Sequence, residues 1–288
     1  MRRIPVGQTI RDAYRFTSMH LGGIIGLIWV AMVMLTIARF FTFLRFYNDF
    51  IDFMASGNAA HMGSSMLMMI GYMVALLLLY AVMFTAVVQL ALGARTAPEF
   101  IHFAFGPLEW RMFRAFFALA GLMLLLGTTI LLGANAAVVL VPGAAKWQGV
   151  MGALAMLGMV IIFVMVLARF LLLLPAIAVS ETAPTLRRAW ALSTGNFVPL
   201  LGVLLGLFLP LLLVMAAIDV GMGEKPAAMP GAATQMQIVA AVMQARQSLP
   251  LTCGLGFLFS PLVIGLLAGA SVSIWRTLKD EPSVEILA

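Results

Sequence analysis

The sequence predicts an all-α membrane protein with six transmembrane helices. Of its 288 residues, 63% are hydrophobic and only 10% are charged, whereas a soluble domain carries about 25% charged residues. Several uninterrupted apolar runs also exceed the roughly 18 residues that indicate a membrane span. The chain therefore has too little polar surface to cover a water-soluble globule of this size.

The apolar runs place the six spans in order along the chain. Each has the roughly 20 residues that cross about 30 Å of hydrocarbon. The basic N-terminus precedes a run too long for a signal-peptide core, which predicts an uncleaved first span. Spans three and four are joined only by "PGAAKWQ", which predicts a tight hairpin. The spans lie at about 21–44, 65–93, 115–141, 149–178, 197–219 and 251–275.

The basic residues predict the orientation, because cytoplasmic loops carry an excess of Lys and Arg. The chain has 17 such residues, and five fall on one side: Arg39, Arg45, Lys146, Lys225 and Arg246. The other twelve share the side of both termini: Arg2, Arg3, Arg11, Arg15, Arg95, Arg111, Arg114, Arg169, Arg187, Arg188, Arg276 and Lys279. Both termini are therefore predicted to be cytoplasmic.

Two segments on the opposite side have helical periodicity. Aromatic residues recur after the first span in "FFTFLRFYNDFIDFM", which predicts an aromatic helix at the headgroup level or against the bundle. Before the last span, Met236, Val239, Ala240 and Met243 form an apolar stripe. The stripe predicts a surface-lying helix, and a helix that docks a partner is the alternative.

Two cytoplasmic segments resemble each other. "TIRDAYRFTSMHLGGIIG" at 9–26 aligns without a gap with "TLRRAWALSTGNFVPLLG" at 185–202, and "GPLEWRMFRAFF" at 106–117 is a weaker third copy. An amphipathic cytoplasmic helix thus precedes each odd-numbered span. The sequence predicts one membrane domain, 1–288, of three helical hairpins at about 1–93, 94–179 and 180–276, with a tail at 277–288.

The cytoplasmic helices combine arginine with large aromatic residues. Aromatic rings favour the membrane interface, and arginines attract anionic headgroups by about 1 kcal/mol per charge. The helices either fix the depth of the spans or recognise a lipid specifically. The predicted interface anchors are Arg11, Tyr14, Trp110, Arg111 and Arg114.

Charged residues inside the spans are few, and Arg169 is the main candidate for function. A central arginine costs about 2.5–3.5 kcal/mol, so it either has a buried partner or headgroup or extends to the interface. Pro175 follows it and can kink the helix. Arg39 lies near the opposite face, where hydration lowers its cost.

A ridge of small residues in the last span, Gly265, Gly269 and Ser273, predicts close helix packing. The ridge also allows dimerisation, so contacts with another copy or with other membrane proteins stay open.

The sequence lacks the motifs of the common enzyme classes. His20, His61 and His102 lie in different linkers without metal-ligand spacing, and Cys253 stands alone in an apolar run. No GxSxG, P-loop or HExxH motif occurs. We expect no catalytic residue, no metal and no cofactor. Nucleic-acid binding is excluded because the basic residues are scattered at the ends of spans.

The stretch from Arg169 to Gly195 resembles the YciC-like proteins and the membrane domain attached to some glycerophosphodiester phosphodiesterases. Ala189 stands in place of the usual serine, and Ser193 in place of the usual threonine. The resemblance implies a polytopic bacterial inner-membrane protein without the soluble phosphodiesterase barrel. The matching residues are Arg169, Pro175, Glu181, Leu186, Arg188, Trp190, Leu192 and Gly195, and Arg187 adds a second cation to the motif.

Two functions follow as expectations. The first is a non-enzymatic inner-membrane protein that contacts lipids or organises other membrane components. The alternative is a transporter or channel for a lipid or small amphiphile, which the internal repeat, the proline-containing spans and Arg169 favour.

Overall fold

The structure, a computed structural model, describes residues 4–94, 105–140, 148–170, 173–179, 195–221 and 235–279. These residues form seven α-helices and no strand. The helices are α1 (Val6–Ser56), α2 (Ala60–Leu92), α3 (Pro107–Leu140), α4 (Gln148–Phe170), α5 (Leu173–Val179), α6 (Phe197–Gly221) and α7 (Gln235–Lys279).

Six helical regions among the described residues are long and apolar enough to cross a membrane. Large apolar side chains in them face outward, and in the most apolar part of Pro107–Gly133 only 6% of residues are buried. Hydrocarbon accommodates such surface, whereas water disfavours it. The prediction of an all-α, multi-pass membrane protein is therefore confirmed. The regions are Val6–Ser56, Met62–Leu92, Pro107–Gly133, Val150–Ala178, Phe197–Ile218 and Gln235–Leu278.

The first and last helices are longer than the predicted spans. Helix α1 has 51 residues, about 76 Å at 1.5 Å per residue. It joins the predicted cytoplasmic helix, the first span and the aromatic segment, because no proline interrupts 6–56. Helix α7 has 45 residues and continues through Pro250 and Pro261, so the predicted separate surface helix is the first part of α7.

A tight turn joins α1 to α2. Gly57 has φ of 70°, a left-handed conformation that glycine adopts without steric cost. The Gly57 N–H donates to the Phe53 carbonyl at 2.8 Å. The Asn58 side chain then accepts from the Ala60 N–H at 3.0 Å, which satisfies a donor at the start of α2.

The chain divides into two compact units. The first unit contains Met1–Phe16, Arg114–Gly231 and Leu266–Ala288, and the second contains Thr17–Phe113 and Ala232–Gly265. This division passes through α1, α3 and α7. The three hairpin units that the sequence predicts stay a prediction, because residues 180–194, which include part of the repeat copy predicted at 185–202, lie outside the described residues.

In the second unit, α2 and α7 both pack antiparallel to α1. The Gln235 side-chain amide donates to the Met54 carbonyl at 2.7 Å, near the end of α1. At the other end, a Cβ on Gly265 would lie 2.9 Å from Thr17 Cγ2. Rings of α1 and α2 meet where Phe43 and Tyr72 stand 5.8 Å apart, edge to face.

In the first unit, the end of α7 packs closely on the start of α1. A Cβ on Gly269 would lie 3.0 Å from Phe16 Cδ1 and 3.2 Å from Ala13 Cα. The Ser273 hydroxyl donates to the Asp12 carboxylate at 3.2 Å. The small-residue ridge therefore faces α1 of its own chain, and Gly265 does the same within the second unit.

The start of α1 also lies alongside the first half of α6. A Cβ on Gly202 would lie 3.4 Å from Val6 Cγ1, and one on Gly206 would overlap Ile10. Thr9 and Ala13 are fully buried. The segment predicted as the first repeat copy thus begins inside the helix packing of this unit, where its apolar side chains lie next to α6 and α7.

Tyr14 hydrogen-bonds to the backbone of α6. Its hydroxyl donates to the Leu207 carbonyl at 3.1 Å. The neighbouring Gly206 carbonyl lacks its usual helical donor, because Pro210 has no N–H.

We expect Tyr14→Phe to lower the free energy of unfolding by about 1 kcal/mol, because the hydrogen bond to Leu207 is lost and the ring is kept. Thermal unfolding in detergent measures it. Tyr47→Phe is the control, and an equal loss there would contradict the assignment.

Candidate functional site

A groove between α1 and α7 is the candidate site in the second unit. Its volume is about 430 Å³, within the range of about 300–1,000 Å³ typical of small-molecule sites. The groove is lined by four apolar and two polar side chains: Phe40, Leu44, Met243, Pro250, Arg246 and Gln247.

Helical spacing aligns these side chains. Phe40 and Leu44 are four residues apart and share one face of α1, while Met243, Gln247 and Pro250 share a face of α7. Pro250 has no N–H to donate to the Arg246 carbonyl, four residues earlier. The groove therefore combines apolar walls with a cation, an amide and a backbone acceptor.

The polar side chains lie at an accessible part of the groove. Arg246 and Gln247 are both exposed, whereas Phe40 and Leu44 are half-buried. No described acidic residue forms a salt bridge with Arg246. A ligand with an anionic head and an apolar tail suits this groove. Its head would lie at the cation of Arg246, and its tail would lie along the apolar side chains of Phe40 and Leu44.

A polar cluster of Arg45, Asp49, Ser64 and Ser65 joins α1 to α2 in the same unit. Arg45 Nε lies 3.6 Å from an Asp49 carboxylate oxygen, and Arg45 Nη2 lies 3.3 Å from the Ser64 hydroxyl. The buried Ser65 hydroxyl donates to Asp49. The positive charge of Arg45 is thus partly neutralised, in contrast to that of Arg246.

Arg39 is half-buried in the same unit, one residue before Phe40. Its Nη1 atom would lie 3.0 Å from a Cβ on Gly256, so the missing side chain of this glycine leaves room for the guanidinium. Arg39 interacts electrostatically with Tyr72, Tyr80 and Cys253.

The residues of the family motif are only partly described. Arg169 is half-buried in α4, and its guanidinium carbon lies 5.4 Å from the centroid of the Phe197 ring at the start of α6, a cation–π distance. Pro175 is buried within α5, and Gly195 is exposed with φ of 85°. The other motif positions lie outside the described residues, namely Glu181, Leu186, Arg187, Arg188, Trp190 and Leu192.

The predicted interface anchors have different surroundings. Trp110 is 47% exposed and stacks on Phe113 with ring centroids 5.2 Å apart. Arg11 and Arg114 are exposed, and Arg111 is half-buried. Unlike Tyr14, which bonds to α6, these residues present aromatic and basic groups at the surface of helices α1 and α3.

The sequence alone did not predict the groove. Phe40 and Leu44 are ordinary members of an aromatic-rich span, and the stripe at Met243 suggested a surface helix. One available signal was the pattern Met243, Arg246, Gln247 and Pro250, which mixes polar and apolar residues over about two helical turns. The structure shows that α1 lies beside this part of α7.

Comparisons with models of protein families, with curated proteins and with solved structures find no match to this chain. The resemblance to the YciC-like proteins therefore stays a prediction. Within the part of the chain that the structure describes, no group of three or more His, Cys, Asp or Glu side chains could hold a metal ion.

Proposed function

We propose that this protein is a non-enzymatic multi-pass membrane protein that binds anionic lipids in the α1–α7 groove. The observation that carries the proposal is the groove itself. It has a volume of about 430 Å³ and combines the polar side chains of Arg246 and Gln247 with apolar walls. A lipid combines the same two features, because its charged head is joined to hydrocarbon.

Charge favours an anionic headgroup over a neutral one. Arg246 has no salt bridge to a described acid, so a phosphate oxygen gains a charge-assisted hydrogen bond there. The guanidinium presents several N–H donors in one plane, which suits phosphate. The Arg246 carbonyl, without a donor from Pro250, can accept a hydrogen bond from a headgroup hydroxyl.

The proposal includes a location. We place the protein in a bacterial inner membrane with both termini in the cytoplasm, on the excess of basic residues at that side. The turn at Gly57 would then lie on the opposite side, and the groove would open toward that leaflet. The partners are membrane lipids, and other membrane proteins or a second copy could share the exposed apolar surfaces.

The experiment compares lipid binding by Arg246→Ala and wild type. We expect binding of phosphatidylglycerol to weaken by about tenfold or more, because a charge-assisted hydrogen bond contributes about 1.5–3 kcal/mol. Purification in detergent followed by native mass spectrometry of a lipid titration measures this affinity.

Arg45→Ala is the matched control, since it removes an exposed arginine of the same unit that does not line the groove. Its affinity should equal that of wild type. Equal losses in both variants would show non-specific charge attraction, and unchanged binding by Arg246→Ala would contradict the groove as the lipid site.

A further inference from the structure

Arg39 is a cation within an apolar part of the second unit. The eighteen positions before it, 21–38, contain no charged residue, and α7 carries none between Arg246 and Arg276. An arginine within a span costs about 2.5–3.5 kcal/mol on insertion scales. An arginine kept in such a position therefore needs compensating interactions.

The side chain of Arg39 extends away from the polar end of the unit. The contact of Met54 with Gln235 sets an antiparallel register in which Arg39 stands opposite Pro250. Its guanidinium nevertheless reaches Gly256, about six residues or roughly 9 Å farther along α7. An arginine that extended to the nearer interface would point toward Arg246 instead.

The groups around the guanidinium are neutral. Tyr72, Tyr80 and Cys253 interact with it electrostatically, and no acidic residue of the described chain pairs with it. Neither tyrosine hydroxyl is hydrogen-bonded to a described residue, so both retain a donor. A guanidinium without an acidic partner attracts an anion rather than another cation.

We propose that Arg39 is a second phosphate-binding position, deeper in the second unit than Arg246. The ligand is a phosphate group bound by the guanidinium, with the two phenols of the unit as candidate further donors, and the missing side chain of Gly256 leaves room for the guanidinium at this depth. Gly256 and Arg246 are ten residues apart, about 15 Å along α7, so one headgroup cannot occupy both positions. The inference rests on the proposed function in that the groove supplies a lipid phosphate to the deeper position.

Native mass spectrometry of the full chain tests this inference. The probes are phosphatidylglycerol, diacylglycerol (which lacks phosphate) and inorganic phosphate. We expect wild type to retain two phosphatidylglycerol molecules, and Arg39→Gln to retain one. Arg39→Lys, which keeps the charge, should retain two, and diacylglycerol should bind equally to all three proteins.

Thermal unfolding separates binding from a structural role. Without lipid, Arg39→Gln should melt at or above the wild-type temperature, because it removes an uncompensated cation. The rise in melting temperature on adding phosphatidylglycerol should be smaller in Arg39→Gln than in wild type. If inorganic phosphate alone stabilises wild type and not Arg39→Gln, the position also takes the free anion, which supports the site.

Two results would overturn the inference. The first is Arg39→Gln that retains two phosphatidylglycerol molecules. The second is a lower melting temperature of Arg39→Gln without lipid together with weaker binding of diacylglycerol, which would show a structural role. If Arg246→Ala still loses lipid in either case, the proposed function stands without the deeper position. If Arg246→Ala loses none, the groove proposal fails, and the Arg39 result is judged on its own.

Discussion

Gly269→Val is expected to destabilise the protein by about 3 kcal/mol. Its Cβ would stand 3.2 Å from the Cα of Ala13 and 3.0 Å from Phe16. Backbone cannot move aside as a flexible side chain can, so α1 and α7 must separate at this level, and overpacking of this kind costs about 1–3 kcal/mol or more. Thermal unfolding in detergent and the yield of monodisperse protein measure the loss.

Gly254→Val is the matched control on the same helix. Gly254 is exposed, and a Cβ there would meet nothing within 4 Å. The exchange should leave stability within about 1 kcal/mol of wild type, because valine has the better helix propensity. Equal stability of the two variants would mean that α7 does not pack on α1 through Gly269.

Asp49→Ala should lower the free energy of unfolding by about 2 kcal/mol. Asp49 accepts a hydrogen bond from Ser65, whose side chain is only 1% exposed, and faces Arg45. Its removal leaves a buried hydroxyl without an acceptor and Arg45 without its carboxylate, and an unsatisfied buried group costs about 1–3 kcal/mol. Denaturation in a graded detergent series measures the change.

Asp52→Ala controls for the loss of a negative charge at the same end of α1. Asp52 is exposed and should tolerate the exchange with little change in stability. A loss at Asp52 as large as that at Asp49 would show that net charge at this end matters more than the polar cluster.

The sequence predicts the spans well because hydrocarbon imposes a simple requirement. A helix that crosses it needs about 20 apolar residues, and six such runs match six helical regions. Helix ends are harder to predict, because a helix continues wherever backbone hydrogen bonds can continue. The segment at 9–20, predicted to be a separate cytoplasmic helix, and the stripe at Met243 therefore merge into α1 and α7.

The candidate site was beyond sequence reasoning because it depends on a contact between distant segments. Phe40 and Arg246 are about 200 residues apart in the chain, and only the register of α1 against α7 brings them to one groove. Arg39 illustrates the same limit. Its position near the end of a span suggested a hydrated side chain, whereas the space at Gly256 lets its guanidinium extend inward.

The most direct test of the central claim is an experimental structure of the full chain in nanodiscs that contain phosphatidylglycerol with brominated acyl chains. We predict phosphate density within hydrogen-bonding distance of the Arg246 guanidinium and bromine density between Phe40 and Met243. A groove filled by protein side chains, or by lipid with no phosphate near Arg246, would contradict the proposal that this groove binds anionic lipid.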